Sequence, residues 1–414
     1  MDRLIERCAM LDVHRDTVTA CVRTPGENGG RRQQLRTFGT TTRRLLELRD
    51  WLAGHQVTVV GMESTGIYWK PVFYLLEDDF ECWLINAAHM RNVPGRKTDT
   101  LDAEWGAQLV EHGLVRPSFV PPRPIRELRD LTRYRKAVIE ERGRETQRLH
   151  KMLEDAGVKL ASVASKTLTK SGRAMLEALV AGQRDPAVLA ELAKGRMRAK
   201  IPQLREALEG RFSAHHALIV AEMLARVDHA DATIEALSAR IDEVIVPFVR
   251  QVELLCTIPG VGQRTAEVII AEIGTDMSRF PDAEHLASWA GMCPGNNESA
   301  GKRRSGRTRK GSKWLCKGLV EAAHAAGRSK DTYLSAQFAR LRGRRGPKKA
   351  AVAVGHSILV IGYHLLTRDE VYADLGGDFY VQLHARHKQA YTNRLIRQLE
   401  RLGYTVSLQP ADAA

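Results

Sequence analysis

At 414 residues the chain is too long for one compact domain and suggests two or three, at roughly 150 residues each. Its 63 Lys and Arg exceed its 49 Asp and Glu, and the resulting +14 charge points to a polyanionic partner such as nucleic acid and disfavours a small-molecule enzyme. A hydrophobic fraction of 43% without low-complexity tracts excludes a disordered chain.

In chain order, Cys8 to Val13 and Thr17 to Val22 are short β-type runs separated by His14-Arg15-Asp16, which predicts a hairpin. Leu45, Leu48 and Leu52 recur at helical spacing, and the β-branched run Val57 to Met62 suits a buried strand. Ile67 to Leu76 is helical in character, Cys82 to Ile85 is a further strand, and a helix is expected from about Asp99 to His112. Pro117, Pro121, Pro122 and Pro124 mark a linker. Ile125 to about Gly157 then predicts one charged helix, and Pro202 to Phe248 a second helical stretch. In the latter, Val227, Ile234, Ile241 and Phe248 follow a seven-residue repeat, while Asp231 and Ser238 occupy the other seam positions. A coiled-coil dimer seam and an intramolecular helical hairpin are both open. Beyond Leu254 come glycine turns, two tryptophans and a dense basic run, then helices to Arg368 and a tail from Leu375 that frays at its end.

Six scattered cysteines without a Cys-x-x-Cys pair argue against a disulfide framework and against a structural zinc site. The start, Met1 to Arg7, is charged, so no secretory signal is expected. The apolar run Ala350 to Leu366 is broken by His356, Ser357 and His364 and predicts a buried helix rather than a membrane span. A reduced, cytoplasmic protein is expected.

Three constellations bear on chemistry. Asp12 and Glu63 each end a strongly apolar run, where a charge is costly without a partner, and Asp99 and Asp102 share one helical face. Carboxylates converging on one point are what hard divalent cations and phosphoryl transfer require, in an RNase H-like arrangement, although Asp99 could equally cap a helix. Next, Ile258-Pro259-Gly260-Val261-Gly262 lies between two helical stretches. Such a Gly-x-Gly turn either offers backbone N–H groups to phosphates, as in a helix-hairpin-helix element, or is a plain interhelical turn. Last, Lys302 to Lys317 holds eight Lys or Arg and no acid, with Trp314 interleaved, a pattern suited to neutralising phosphates and stacking on a base. Within it Lys302, Arg303, Arg304, Arg307, Arg309, Lys310 and Lys313, with Gly260 and Gly262, are the candidate nucleic-acid-binding residues. Ser299, beside a glycine turn and these cations, is a candidate nucleophile or a simple turn residue. His215-His216 has no further ligand at metal spacing.

Taken in order, Leu11-Asp12-Val13-His14, Gly61-Met62-Glu63-Ser64-Thr65-Gly66 with Tyr68-Trp69, Lys97 to Ala103, Ile258 to Gly262 and Cys293 to Lys302 resemble the DEDD transposases of bacterial insertion sequences, the insertion-sequence 110 family. The resemblance runs from about residue 5 to about 366. It implies an α/β plus α architecture: an RuvC-like RNase H-fold domain (1–120), a helical coiled-coil segment (121–252), a mostly helical transposase domain with a helix-hairpin-helix element (253–370) and a tail (371–414). By the same resemblance, Asp12, Glu63, Asp99 and Asp102 form a Mg²⁺ (or Mn²⁺) tetrad. Ser299, rather than Ser305 or Ser312, is the nucleophile that links covalently to DNA. The implied partners are DNA at the element ends and target, a structured guide RNA and further copies of the chain as a dimer or tetramer, in a bacterial nucleoid. A Holliday-junction-type nuclease using water is the nearer alternative; a non-catalytic nucleic-acid-binding protein is disfavoured because all four carboxylate positions are filled. The segment near 160–250 and the tail have no implied role.

Overall fold

The computed structural model describes residues 4–27, 30–63, 66–86, 102–164, 166–295, 297–299, 302–305, 308, 310–403 and 405–407, with the backbone alone at 102, 297–299, 302–305, 387 and 388. Two compact units, Met1–Val120 and Pro121–Ala414, divide the chain at the proline-dense segment.

The first unit is built on a five-stranded sheet in the order β3-β2-β1-β4-β5. The predicted hairpin is present as β1 (Cys8–Val13) and β2 (Thr17–Pro25), antiparallel, and β3 (Arg31–Gly39) continues it as a further antiparallel strand. The chain then crosses through helix α1 (Thr42–Gly54) to β4 (Val59–Glu63), parallel to β1, and through α2 (Trp69–Leu76) to β5 (Glu81–Ile85), parallel to β4. Such parallel crossovers place helices on the sheet's faces. Alternation along β1 divides its side chains between two cores. Ala9, Leu11 and Val13 pack with Leu45, Leu48 and Leu52 of α1 and Val72, Phe73 and Leu76 of α2. Cys8 and Met10 pack instead with Ala103, Ala107 and Val110 of α3 (Asp102–Glu111) on the opposite face. Gly106 permits this approach, since a Cβ there would lie 2.6 Å from Met10 Cγ. The proline segment is partly pinned rather than free: Pro117 bridges to Ile85, and Ser118 N–H donates to Leu84 O at 2.6 Å.

In the second unit α4 (Arg123–Asp155) starts with Pro124 in its first turn, where a missing N–H costs nothing. It buries Ile125, Leu128, Val138, Leu149 and Leu153 on one face. It pairs lengthwise with α9 (Ala214–Val244), which buries Val227, Ile234 and Ile241 against it. Of the two readings of the seven-residue repeat, the intramolecular hairpin matches this packing. The polar seam positions are matched as well, Arg142 pairing with Asp231 and Arg135 donating to Ser238 Oγ at 3.4 Å. The predicted helical stretch from Pro202 to Phe248 is divided into two main helices, because Glu209–Gly210 ends α8 (Ile201–Leu208) and Ser213 starts α9 with a capping box to His216. Between α4 and α9, short helices α5 (Leu160–Val163), α6 (Lys170–Val180), α7 (Pro186–Ala190) and α8, with a 3₁₀ turn at Gly195–Lys200, enclose their own core. That core includes Met175, Leu176, Leu189 and Leu204.

Beyond α9 come α10 (Val249–Cys256), α11 (Gln263–Ile273) and α12 (Ala283–Trp289), then a two-stranded hairpin, β6 (Asn297–Ser299) and β7 (Lys302–Ser305). Helices α13 (Lys313–Ala326), α14 (Tyr333–Arg345) and α15 (Pro347–Arg368) follow. Helix α15 contains the predicted apolar run; it is long and apolar enough to cross a membrane, and half of its most apolar stretch is buried inside the unit, where it packs against α13 and α14. The tail forms α16 (Phe379–Arg401), and its last residues, expected to fray, lie outside the described residues.

Candidate active site

Register places the first two predicted carboxylates together. In the parallel pairing of β1 and β4, Leu11 lies opposite Met62, so Asp12 and Glu63 are the next neighbours at the C-terminal ends of adjacent strands. Strand alternation assigns both to the face of Cys8, Met10, Val59 and Gly61, which is the face that α3 covers. Helix α3 runs antiparallel to β1, for its last residue, Glu111, accepts the Leu4 and Ile5 N–H groups (both 3.1 Å) before β1 begins. Its first residue, Asp102, therefore lies toward the end of β1 where Asp12 stands. The Asp102 side chain and the whole of Asp99 lie outside the described residues.

His14 Nε2 donates to Asp12 Oδ2 at 3.1 Å, and no Lys or Arg pairs with Asp12 or Glu63 among the described residues. Sequence reasoning gave His14 no role; its signal was the two-residue spacing from Asp12 at a strand end. Carboxylates on adjacent strands without a protein cation are the donor type that hard divalent cations take. Among the described residues no three His, Cys, Asp or Glu side chains are grouped as a metal site.

The β6–β7 hairpin carries the candidate serine. Ser299 ends β6 and pairs with Lys302, so a two-residue connection, outside the described residues, separates them. The side chains of Ser299, Lys302, Arg303 and Arg304 lie outside the described residues, as do Arg307 and Arg309 entirely. At the base of the hairpin Pro294 bridges to Thr308, and Gly311 abuts Ala290 O so closely that a Cβ would lie 2.1 Å from it. Of the rival serines, Ser312 is committed elsewhere: its Oγ caps α13 by accepting the Leu315 N–H (3.3 Å) and donates to Glu272 Oε2 (2.8 Å). Lys310 and Lys313 are exposed, and the Lys313 and Lys317 ammonium groups lie 5.1 and 5.9 Å from the Trp314 ring centre.

Gly260 and Gly262 occupy the turn between α10 and α11, with different duties. Gly260 has φ +87°, and a Cβ on it would sit 2.4 Å from Ala322 O and Ala326 N of α13, so this glycine is required for close packing. Gly262 is exposed, touches nothing with its missing Cβ and caps α11. On the other side of α11, Arg129 donates to Ala271 O (2.9 Å) and Glu272 O (2.7 Å), Arg133 forks onto the Glu272 carboxylate (2.7 and 2.8 Å) and Arg135 pairs with buried Glu267. These α4 arginines hold the unit together and are not free for phosphates.

No cysteine is disulfide-bonded, and burial pushes the thiols of Cys8, Cys21 and Cys82 up to about 12. His216 serves as a cap, accepting the Ser213 N–H at Nδ1 (3.2 Å) with Nε2 3.2 Å from Asp155.

Comparison with known proteins gives the arrangement a context. A DEDD-type transposase family model of IS110 elements matches residues 10–157, and a second, described as transposase IS116/IS110/IS902 family, matches residues 252–339. Segments of the chain are similar to a provisionally named transposase, y4pF/y4sB, of Sinorhizobium fredii (33% identity over 130 residues, 30% of this chain and 33% of that one). They are also similar to the transposase for insertion sequence element IS1111A of Coxiella burnetii (32% over 120 residues, 28% and 33%). A third relative is the pilin gene-inverting protein of Moraxella bovis (48% over 46 residues, 11% and 14%). The chain matches about a third or less of the length of each. With a family model on each unit, one covering both strands that carry Asp12 and Glu63 and the other the β6–β7 hairpin, this chain belongs to the IS110 family of transposases.

Proposed function

We propose that this protein is a recombinase that cuts and rejoins DNA to move an insertion sequence, with Asp12, Glu63, Asp99 and Asp102 as a metal-binding tetrad and Ser299 as the nucleophile. The observation that carries it is the in-register placement of Asp12 and Glu63 on the sheet face toward which α3, opening with Asp102, is packed. A sheet of order β3-β2-β1-β4-β5, antiparallel on one side of β1 and parallel on the other, supports an RuvC-like RNase H fold. The helix–glycine turn–helix of α10 and α11 supports a helix-hairpin-helix element, with exposed Gly262 as the position open to a phosphate.

Asp12, Glu63 and Asp102 would hold Mg²⁺ or Mn²⁺, with Asp99 completing the set; the bound cation supplies charge neutralisation at the scissile phosphate. His14 orients the Asp12 carboxylate. Ser299 Oγ attacks phosphorus, one P–O bond to serine forms as the bond to a sugar oxygen breaks, and the hydroxyl proton leaves the serine as the departing oxygen gains one. One phosphodiester replaces another, so rejoining needs no ATP. Exposed Lys310 and Lys313 and the rest of the basic run neutralise DNA or guide-RNA phosphates. The first unit carries the carboxylates and the second carries the serine. That one relative is named for inverting a pilin gene is consistent with a DNA-rearranging chemistry.

The test is a plasmid assay in which the gene's own flanks and their transcribed RNA are supplied with the protein and Mg²⁺. Asp12→Asn and Glu63→Gln are expected to abolish junction formation while retaining DNA binding. Wild-type junction yields in both variants would sink the tetrad.

A further inference from the structure

The helical segment between α4 and α9 lies outside both family matches, which end at residue 157 and resume at 252. It contains a basic surface assembled from two stretches that are distant in sequence. The 3₁₀ turn Gly195–Lys200 and its preceding Lys194 contribute exposed Lys194, Arg196, Arg198 and Lys200. The connection from α5 into α6 contributes exposed Lys166 and Lys170.

Two bonds fasten the stretches side by side. Lys194 N–H donates to Ser171 Oγ in the first turn of α6 (2.9 Å), and Lys200 Nζ donates to Val163 O at the end of α5 (3.0 Å). Beneath them Thr167 is buried, with its Oγ1 2.6 Å from His150 Nε2 of α4, and the local core is closed by Met175, Leu176, Leu189 and Leu204. The cations therefore stand on a rigid support rather than a loose loop.

Neutralisation separates this surface from the other basic parts of the unit. Arg129, Arg133, Arg135, Lys136 and Arg142 of α4 are engaged by carbonyls or carboxylates. Among the described residues Lys166, Lys170, Lys194 and Arg196 have no acidic partner, Lys200 meets only a neutral carbonyl, and Arg198 reaches Glu191 at 3.8 Å with both side chains exposed. No Asp or Glu occurs in 156–176 or in 192–205. Unpaired cations at high density on a fixed frame attract a polyphosphate by counterion release, without reading sequence.

We propose that this surface is a second docking site for a nucleic-acid backbone, remote in sequence from the basic run at 302–317. It shares with the recombinase reading only the premise of a nucleic-acid partner. The shared ligand chemistry is a phosphodiester backbone, which duplex DNA and a structured RNA both supply.

The experiment measures binding of the full chain to a 30-base-pair DNA duplex and to an RNA stem-loop across a salt series. The variant Lys166→Gln/Lys170→Gln/Lys194→Gln/Arg196→Gln is compared with wild type and with a variant carrying four equivalent Gln changes at exposed Arg226, Arg240, Arg328 and Arg368. The platform variant is expected to bind at least one of the two ligands about tenfold or more weakly at 0.15 M salt, with the log–log salt slope reduced by about two to four. The control variant should lose much less, and the ligand that responds identifies the source of the backbone. Equal losses in both variants would reduce the effect to net charge and overturn the site, as would unchanged slopes on both ligands. Because all four positions are exposed, matching thermal unfolding of variant and wild type verifies the fold. A failed tetrad in the junction assay would leave these slopes unaltered, so the two ideas fail separately.

Discussion

At one end of α3 the Glu111 carboxylate is fully buried and held by Arg23 and Arg31, each 2.6 Å away; toward the other, Asp12 and Glu63 stand on adjacent strands with no Lys or Arg on either among the described residues. One helix thus covers two groups of carboxylates of opposite kinds. A buried acid without a cation is strongly unfavourable, and the protein supplies two guanidinium groups where the role is structural. Where it supplies none, the carboxylates remain available to a cation from outside. On the proposed reading, the contrast separates a structural carboxylate from catalytic ones within a single unit.

The comparison breaks first if its two ends respond alike to mutation. Asp12→Asn is expected to reduce junction formation by about three orders of magnitude or more while changing stability by less than about 1 kcal/mol. Glu111→Ala is expected to destabilise the first unit by about 3–5 kcal/mol, since it strands two arginines in the interior. Urea unfolding of the full chain, with a probe in each unit, measures both; a Glu111→Ala protein as stable as wild type would refute its structural role. In the second unit, Gly260→Ala should cost about 2–4 kcal/mol through its positive φ and the α13 backbone, whereas Gly262→Ala, which meets nothing, should cost about 1 kcal/mol or less. If Gly262→Ala instead lowers DNA affinity at unchanged stability, its assignment to phosphate contact is sharpened.

The smallest effect concerns pH. The Cys8, Cys21 and Cys82 thiols are raised by burial to about 12, so the folded unit holds their protons more tightly than the unfolded chain does. The stabilisation they contribute is complete below the ordinary thiol value of about 8.5 and is lost as pH climbs toward 12. Thermal unfolding at rising alkaline pH should show that loss, and a Cys8→Ala/Cys21→Ala/Cys82→Ala variant should lose less over the same range. Native-state thiol labelling should be slow at these three and faster at exposed Cys256.

Much of the first unit was legible because its strands are apolar and short: β1, β2, β4 and β5 all coincide with runs visible in the sequence. Strand β3 escaped notice because Arg31-Arg32-Gln33-Gln34-Leu35-Arg36 is polar, as suits an edge strand that buries only Phe38. Asp12 and Glu63 were conspicuous as charges closing apolar runs, yet their common face became visible only through the β1–β4 register. The seam of α9 could not be assigned to a partner from one helix alone, because the arginines that meet Asp231 and Ser238 lie about a hundred residues earlier. The packing duty of Gly260 was not legible because its neighbour, α13, is some sixty residues away in sequence. The basic platform was invisible for a similar reason: its two halves join through Ser171 and Val163, which carry no charge.

The most direct test of the account is a covalent trap. The protein is incubated with Mg²⁺, end-labelled DNA from the gene's flanks and RNA transcribed from its non-coding ends, then run on a denaturing gel beside Ser299→Ala and Asp12→Asn. The account predicts a protein–DNA adduct for the wild type that is lost in both variants and maps by peptide digestion to Ser299. Cleaved DNA ends without any adduct would contradict it and assign the attack to water.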